Sequence, residues 1–138
     1  MARAHYDIDP KHGFTVAHFL TVADVKRAAA FYVDVLGGTK IEDDEPAVVK
    51  LANTFIIINV GGGPTDDKPT VVLHPPKNLD EATSFMNIRV ADIHECYRLW
   101  KHRGAHFLTE PKPHPDEIRC YIRDPDGYLI EVGQTLPS

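Results

Sequence analysis

The sequence is poor in cysteine and has no long apolar run. Cys96 and Cys120 are too few for a disulfide framework, and neither has a second cysteine at the spacing of a zinc pair. We interpret both as buried thiols in a reducing cytosol, which predicts a cytoplasmic protein. Residues 1–13 contain no signal-peptide hydrophobic segment, and no run reaches the roughly 18 apolar residues of a membrane span. A membrane partner is therefore not expected.

Clustered positive charge is also missing. The formal net charge is −5, and the 15 Lys and Arg residues form no basic patch in the sequence. Because phosphate backbones are bound by concentrated positive charge, a nucleic-acid partner is not expected. The hydrophobic fraction of 43% and charged fraction of 25% are ordinary for a soluble globular protein, and 138 residues suit one domain or two repeated halves.

The sequence repeats one plan. Residues 20–38 and residues 87–106 both read as a strand, the triplet Val-Ala-Asp, and an amphipathic helix that ends in glycine. Asp24 and Asp92 are placed to cap the two helices, and Gly37 and Gly104 are placed to end them. Each helix is followed by a short strand and a hairpin, so the predicted order is βαβββ twice.

This pattern predicts an α+β fold. Two βαβββ modules cannot each cover both faces of a sheet, so we expect them to join edge to edge into a curved, cup-like mixed sheet with helices on the outside. The segment VVLH at 71–74 is a candidate short edge strand. The expected boundaries are an N-terminal tail at 1–13 and one domain at 14–138, made of module 1 (14–60), a linker (61–83) and module 2 (84–134).

Two motifs carry a resemblance to a known family. VADVKRAAAFYVDVLGG in the first half and DPDGYLIEV in the second resemble the vicinal oxygen chelate superfamily, over residues 14–134. That superfamily includes glyoxalase I, bleomycin-resistance proteins, fosfomycin-resistance enzymes and ring-cleaving dioxygenases. The resemblance implies paired βαβββ modules around a cup that holds one divalent metal. It also implies a homodimer.

Strand alternation assigns a face to Glu131. The DPDG sequence suits a tight turn with Gly127 in a left-handed conformation, which pairs Asp124 with Tyr128 and Tyr121 with Glu131. One face of this hairpin is then apolar and should pack on a helix, while Glu131 lies on the other, mixed face. The apolar set is Cys120, Ile122, Ile130 and Val132, and the mixed set is Arg119, Tyr121, Arg123, Leu129 and Glu131.

The same alternation separates the two opening strands. The set that contains Val22 and Val90 leads into the helices, so it should lie beneath them. The opposite set supplies aromatic walls and polar groups that suit a small-molecule pocket. The predicted pocket residues are Phe19, Thr21, Phe85, Asn87, Arg89, Tyr121 and Glu131. The alternative is a filled core in which Glu131 pairs with Arg89 or Arg119.

A metal site follows only from the resemblance, which implies one ligand on each opening strand and one on the last strand of each half. Glu131 matches the final position, whereas Ala17 and Phe85 stand where the family has histidine. The first-half counterpart of Glu131 falls at Ile58, or at Asn59 if the register shifts. His18 is one residue out of place. If a bulge turns His18 inward, His18 and Glu131 form a metal site with help from Asn59 or His74. Otherwise His18 is a neutral histidine beneath the helix, because a shift of one residue reverses the face of a strand.

Two functional hypotheses remain. The first, which we favour, is a protein that binds or sequesters a small aromatic or planar ligand without a metal, as in the bleomycin-resistance branch. The second is a metal-dependent enzyme of the glyoxalase, lyase or dioxygenase type, with Zn, Ni, Mn or Fe acting on vicinal oxygens. Glu131 is then a metal ligand or the catalytic base.

Overall fold

The computed structural model describes residue 8 and residues 10–137. Most of the predicted tail at 1–13 lies outside the described residues. The chain divides into two compact units between Pro75 and Pro76. The first unit contains β1 (Ala17–Val22), α1 (Val25–Ala30), a π-helical segment (Phe31–Val35), β2 (Thr39–Glu42), β3 (Ala47–Leu51) and β4 (Thr54–Val60). The second contains β5 (Met86–Arg89), α2 (Ile93–His102), β6 (His106–Phe107), β7 (Lys112–Pro113), β8 (Glu117–Arg123) and β9 (Leu129–Thr135).

The first unit is a four-stranded sheet in the order β1-β4-β3-β2, with β1 parallel to β4. The side chain of Asp24 accepts a hydrogen bond from the backbone N–H of Arg27 at 3.1 Å, which confirms the predicted cap. The helix packs against β3 and β4. The apolar core of this unit includes Leu20, Val22, Val25, Ala28, Ala29, Tyr32, Val49, Ile56 and Ile58.

The second unit is a sheet in the order β5-β9-β8-β6, with β7 paired to β8. Two side chains hold the start of α2: Asp92 accepts from the Glu95 N–H at 3.1 Å, and Gln134 accepts from the Ile93 N–H at 2.9 Å. Because Gln134 belongs to β9, it fastens the helix to the sheet. The predicted apolar set Cys120, Ile122, Ile130 and Val132 is buried, at most 2% exposed.

The α+β class and the twofold βαβββ order are confirmed, with β7 as an addition that the sequence pattern did not predict. The expected edge strand at 71–74 is reduced to one bridge, between Gly62 and Leu73. The single domain at 14–138, its linker and its cup stay predictions. In the described part of the chain, no helix is long and apolar enough to cross a membrane.

The two cysteines differ in burial. Cys120 is 2% exposed, as predicted, whereas Cys96 on α2 is only partly buried, so the prediction of two buried thiols is wrong for Cys96. Burial raises the pKa of the Cys120 thiol to about 11, with a smaller contribution from Cys96. Burial also raises the pKa of Cys96, and the carboxylates of Asp92 and Glu95 add to that increase. Neither cysteine is therefore a thiolate at neutral pH.

The turn between β8 and β9 sets the register of the second sheet. Asp124 bonds to Tyr128 through the backbone, and its side chain accepts from the N–H groups of Asp126 and Tyr128 at 2.9 Å. Gly127 adopts φ +94°, the left-handed conformation that the turn was predicted to need. The resulting pairs Arg123–Leu129, Ile122–Ile130 and Tyr121–Glu131 confirm the predicted register.

Replacing Gly127 should destabilise the protein more than replacing Gly37 or Gly63. A Cβ at Gly127 would lie 2.3 Å from a Leu79 methyl and would also be held at positive φ. We expect Gly127→Ala to lose roughly 1–3 kcal/mol in urea unfolding. Gly37→Ala, with positive φ but open space, should lose less, and Gly63→Ala should lose almost nothing. Equal unfolding midpoints for all three variants would contradict this account of the turn.

Candidate functional site

One side of the second sheet carries charged and polar side chains. Cross-strand pairing places Asn87 and Tyr121 beside Glu131, and places Arg89 and Arg119 beside Gly133. Since paired residues share a side of a sheet, these side chains lie together, opposite the side that packs on α2. We call this surface the polar face; its members are Asn87, Arg89, Glu117, Arg119, Tyr121, Glu131 and Thr135.

Glu131 is buried on the polar face, with 8% of the residue exposed. Asn87 donates a hydrogen bond from Nδ2 to Glu131 Oε2 at 3.0 Å. The guanidinium of Arg89 lies 4.0 Å from Oε1. Removing a carboxylate from water costs several kcal/mol unless charge and hydrogen bonds compensate, and Asn87 and Arg89 supply both. The pairing of Glu131 with Arg89 is the arrangement that the sequence offered as the filled-core alternative.

The side chain of Arg89 extends across the sheet, over Gly133. It is paired with Gly133 on β9, and a Cβ built at that glycine would meet Arg89 Nη1 at 2.0 Å. The missing side chain lets Arg89 donate to Glu117 Oε1 at 3.0 Å and to Thr135 Oγ1 at 2.9 Å. Glu117, Gly133 and Thr135 were not predicted as site residues. The glycine that follows the DPDGYLIEV motif was the available signal, because it lies two residues after Glu131 and therefore on the same side of the strand.

Glu117 is the second carboxylate of the polar face. The hydrogen bond from Arg89 holds the pKa of Glu117 below its ordinary value, and the charges of Arg89 and Arg119 act in the same direction. Arg119 Nη1 lies 3.6 Å from Glu117 Oε2. The guanidinium groups therefore stand on both sides of one carboxylate, which orders this part of the surface.

An aromatic pair borders the charged groups. The rings of Phe85 and Tyr121 meet edge to face, with centroids 5.9 Å apart and planes at 79°. Phe85 is 44% exposed, which is high for a large apolar side chain. The structure thus brings together the predicted pocket residues of the second unit: Phe85, Asn87, Arg89, Tyr121 and Glu131.

In the first unit, the corresponding surface is largely apolar. Phe19 is 46% exposed, whereas Thr21 is 5% exposed and offers little surface to a ligand. Phe19 is paired with Ile57, and Thr21 is paired with Asn59. A cavity of about 550 Å³ in this unit lies against the start of α1, and neither Phe19 nor Thr21 lines it.

The register of the first unit corrects the predicted counterpart of Glu131. Phe19 precedes Val22 at the same spacing as Asn87 precedes Val90. Asn87 is paired with Glu131, and Phe19 is paired with Ile57. The counterpart is therefore Ile57, and not Ile58 or Asn59. The difference arises because β3 and β4 join through the tight turn at residues 52–53, which closes the Leu51–Thr54 pair.

The predicted histidine ligands, His18 and His74, belong to the first unit. β1 pairs with β4 without a register shift, so the bulge proposed to reorient His18 is absent from that strand. His18 is exposed and paired with Ile56, which corrects the alternative of a histidine buried beneath the helix. His74 is exposed, and its Nδ1 lies 2.7 Å from the carbonyl oxygen of Pro75.

The residues at the implied metal positions do not fit a divalent cation. Ala17, Phe85 and Ile57 have no side-chain donor atom for a metal. Glu131 does, but its oxygens face Asn87 and the positive charge of Arg89, which would repel a cation. Within the described ranges, no three His, Cys, Asp or Glu side chains form a group able to hold a metal ion.

The link between Arg89 and Glu117 is open to direct measurement. In Arg89→Gln, the pKa of Glu117 should rise towards its ordinary value, because the main cause of its depression is removed. Arg119→Gln should raise the pKa less, because Arg119 contributes less. Carboxyl chemical shifts followed by NMR during an acid titration would report both changes.

The lowered pKa of Glu117 determines the direction in which protein stability changes with pH. A carboxyl whose folded-state pKa is lowered stabilises the native protein above its unfolded pKa, and that contribution is lost as pH falls through the folded value. Below about pH 4.5, the ordinary pKa of Glu117, the free energy of unfolding of Arg89→Gln should therefore fall less steeply with decreasing pH than that of the wild type. A Glu117 pKa that is equal in wild type and Arg89→Gln would refute the assigned contact.

Comparison with known proteins identifies the fold and the family. A probable lactoylglutathione lyase of Synechocystis sp. is 25% identical over 130 residues, which cover 88% of this chain and 95% of that protein. A glyoxalase/bleomycin resistance protein/dioxygenase from Nocardioides has a similar structure, with a TM-score of 0.72 at 17% identity over 95% of this chain and 89% of that one. The antibiotic binding protein TnmS3 from Streptomyces sp. has a TM-score of 0.65 at 18% identity, over 93% and 100% of the respective chains.

The structural likenesses establish the fold alone, because their sequence identities are low. The family is identified by a sequence match that spans residues 15–132 and therefore includes both modules and the DPDGYLIEV motif. This agrees with the resemblance found in the sequence. The chain belongs to the Glyoxalase/Bleomycin resistance protein/Dioxygenase superfamily.

Proposed function

We propose that this protein binds a small aromatic or planar organic molecule on the polar face of its second unit. The observation that carries the proposal is that Glu131 already has protein partners: Asn87 donates a hydrogen bond to one oxygen, and the cation of Arg89 lies 4.0 Å from the other. At the position where the resemblance implies a metal-binding carboxylate, a protein cation takes the place of the metal. The exposed Phe85–Tyr121 pair beside it supplies a surface on which an organic ring can pack.

The chemistry of the surface agrees with binding rather than turnover. To act as a base, Glu131 would need an oxygen within reach of a substrate proton, yet Oε2 accepts a hydrogen bond from Asn87 and Oε1 faces the guanidinium of Arg89 at 4.0 Å. The same contacts hold the carboxylate in a fixed position, which suits a residue that shapes a binding surface. The similar fold of an antibiotic binding protein is consistent with this function.

Ligand titration tests the proposal. Isothermal calorimetry with naphthalenes, naphthoquinones and anthraquinones should give at least one saturable heat of binding. Phe85→Ala should weaken that binding about tenfold, because a ring contact and its buried area are lost. Phe14→Ala is the matched control, since Phe14 is 86% exposed and lies in the first unit. Absence of saturable binding across the panel, or equal affinity in Phe85→Ala and wild type, would overturn the proposal.

The second candidate function is that of a lyase. It is favoured by the 25% identity to a probable lactoylglutathione lyase across most of both chains. Its test is turnover of lactoylglutathione by protein loaded with Zn, Ni, Mn or Fe, together with metal analysis of the purified protein. Stoichiometric metal that is absent from Glu131→Ala, accompanied by turnover, would establish the lyase and replace the binding function.

The remaining expectations concern assembly and location. In the described residues, β1 and β2 are the edge strands of the first sheet and β5 is an edge strand of the second, and edge strands are where pairing with another copy would occur. The homodimer and the cytoplasmic location stay predictions. Of the first unit's predicted pocket residues, Phe19 is the one whose exposure suits a further ligand contact.

A further inference from the structure

The charges of Arg89, Arg119, Glu117 and Glu131 sum to zero, but these opposite charges are not equally exposed. Arg123 lies on the same side of β8 and donates to the carbonyl oxygens of Gly127 and Leu79. The two arginine side chains are 43% exposed at Arg89 and 37% exposed at Arg119. The two glutamate side chains are 26% exposed at Glu117 and 10% exposed at Glu131. A ligand that approaches this face therefore meets guanidinium groups before it meets carboxylates.

The hydrogen-bonding capacity of the arginines points the same way. A guanidinium carries five N–H donors and no acceptor. Arg89 donates two bonds within the face, to Glu117 and Thr135. Arg119 makes a weaker contact with the same carboxylate: its Nη1 lies 3.6 Å from Oε2, and it lowers the pKa of Glu117 less than Arg89 does. The neighbouring ion pair of Lys112 with Glu110 adds no net charge. Both guanidinium groups therefore have more N–H donors than their contacts with Glu117 and Thr135 use.

The strand fixes the backbone spacing between Tyr121 of the aromatic pair and Arg119. Tyr121 lies beside Glu131, and Arg119 lies beside Gly133, so the two sit one row apart on the same side of β8. Two residues along a strand span about 7 Å. The aromatic pair and the guanidinium of Arg119 therefore rise from neighbouring positions, so one small aromatic molecule with a polar substituent can contact both.

We propose that the ligand of the polar face is an aromatic acid, with its ring against Phe85 and Tyr121 and its carboxylate or phenolate directed at Arg119. This inference rests on the proposed binding function and names the chemical class of its ligand. Arg119 is the specificity-determining residue, because its charge is exposed and its contact with Glu117 is long enough to be exchanged for a ligand oxygen. Arg89 is the positioning residue, since it is held by Glu117 and Thr135.

Three naphthalenes of one shape and different charge test the inference: 2-naphthoate, 2-naphthamide and 2-naphthylmethylamine. Calorimetry at low salt should show 2-naphthoate binding about tenfold more tightly than 2-naphthamide, as expected for one charge-assisted hydrogen bond. The cationic amine should bind most weakly. The preference should shrink as sodium chloride is raised, because both arginines are partly exposed.

Two variants that each lose one positive charge test whether Arg119 is the source of the preference for 2-naphthoate. Arg119→Gln should reduce the preference for 2-naphthoate to about onefold while 2-naphthamide binds as before. Lys101→Gln removes the same charge from α2 and should leave the preference intact. Equal binding of acid and amide by the wild-type protein would overturn this inference and leave the binding function standing. A preference that persists in Arg119→Gln would also overturn it, as would failure of all three compounds to bind. The binding function itself is overturned only if the naphthoquinones and anthraquinones also fail to bind.

Discussion

The site depends on the path of one side chain, that of Arg89. Its strand, β5, lies at the edge of the second sheet, yet Arg89 contacts Glu117 on β8, two strands away. The path exists because Gly133 on the intervening strand has no side chain. Along it the guanidinium approaches Glu131, bonds to Thr135 and orders Glu117. Without this crossing, Glu131 would be a buried carboxylate with one amide as its partner.

The two units show how one framework can carry different surfaces. Their opening strands, capped helices and hairpins follow the same order, and their buried sides are apolar in both. On the opposite sides, the pair Phe19–Ile57 of the first unit corresponds to the pair Asn87–Glu131 of the second. The backbone arrangement is thus the same in both units, whereas the charged side chains at these positions are in the second unit. That asymmetry is the reason the proposed ligand site is assigned there.

Much of the second unit could be predicted from its sequence, because short-range rules govern it. The turn residues of DPDG determine the hairpin pairing, and strand alternation then places Glu131 beside Tyr121. The first unit was harder, since Ala52 adopts a positive φ in a turn without glycine, and the predicted counterpart of Glu131 was displaced by one residue. Contacts made by long side chains could not be predicted from strand alternation, which gives only the side of the sheet on which each residue lies. Arg89 reaches Glu117 only because a glycine stands between them, which depends on three strands at once.

The central claim is that a protein cation, and not a metal, balances Glu131. Crystals of the full chain grown with Zn, Ni or Mn and measured at the absorption edge of each metal would test it most directly. The account predicts no anomalous peak at bonding distance from Glu131, about 2.0–2.2 Å for zinc, and an Arg89 Nη1 that stays near 4.0 Å from the carboxylate. A metal peak bonded to Glu131, with the guanidinium turned away from Gly133, would contradict it.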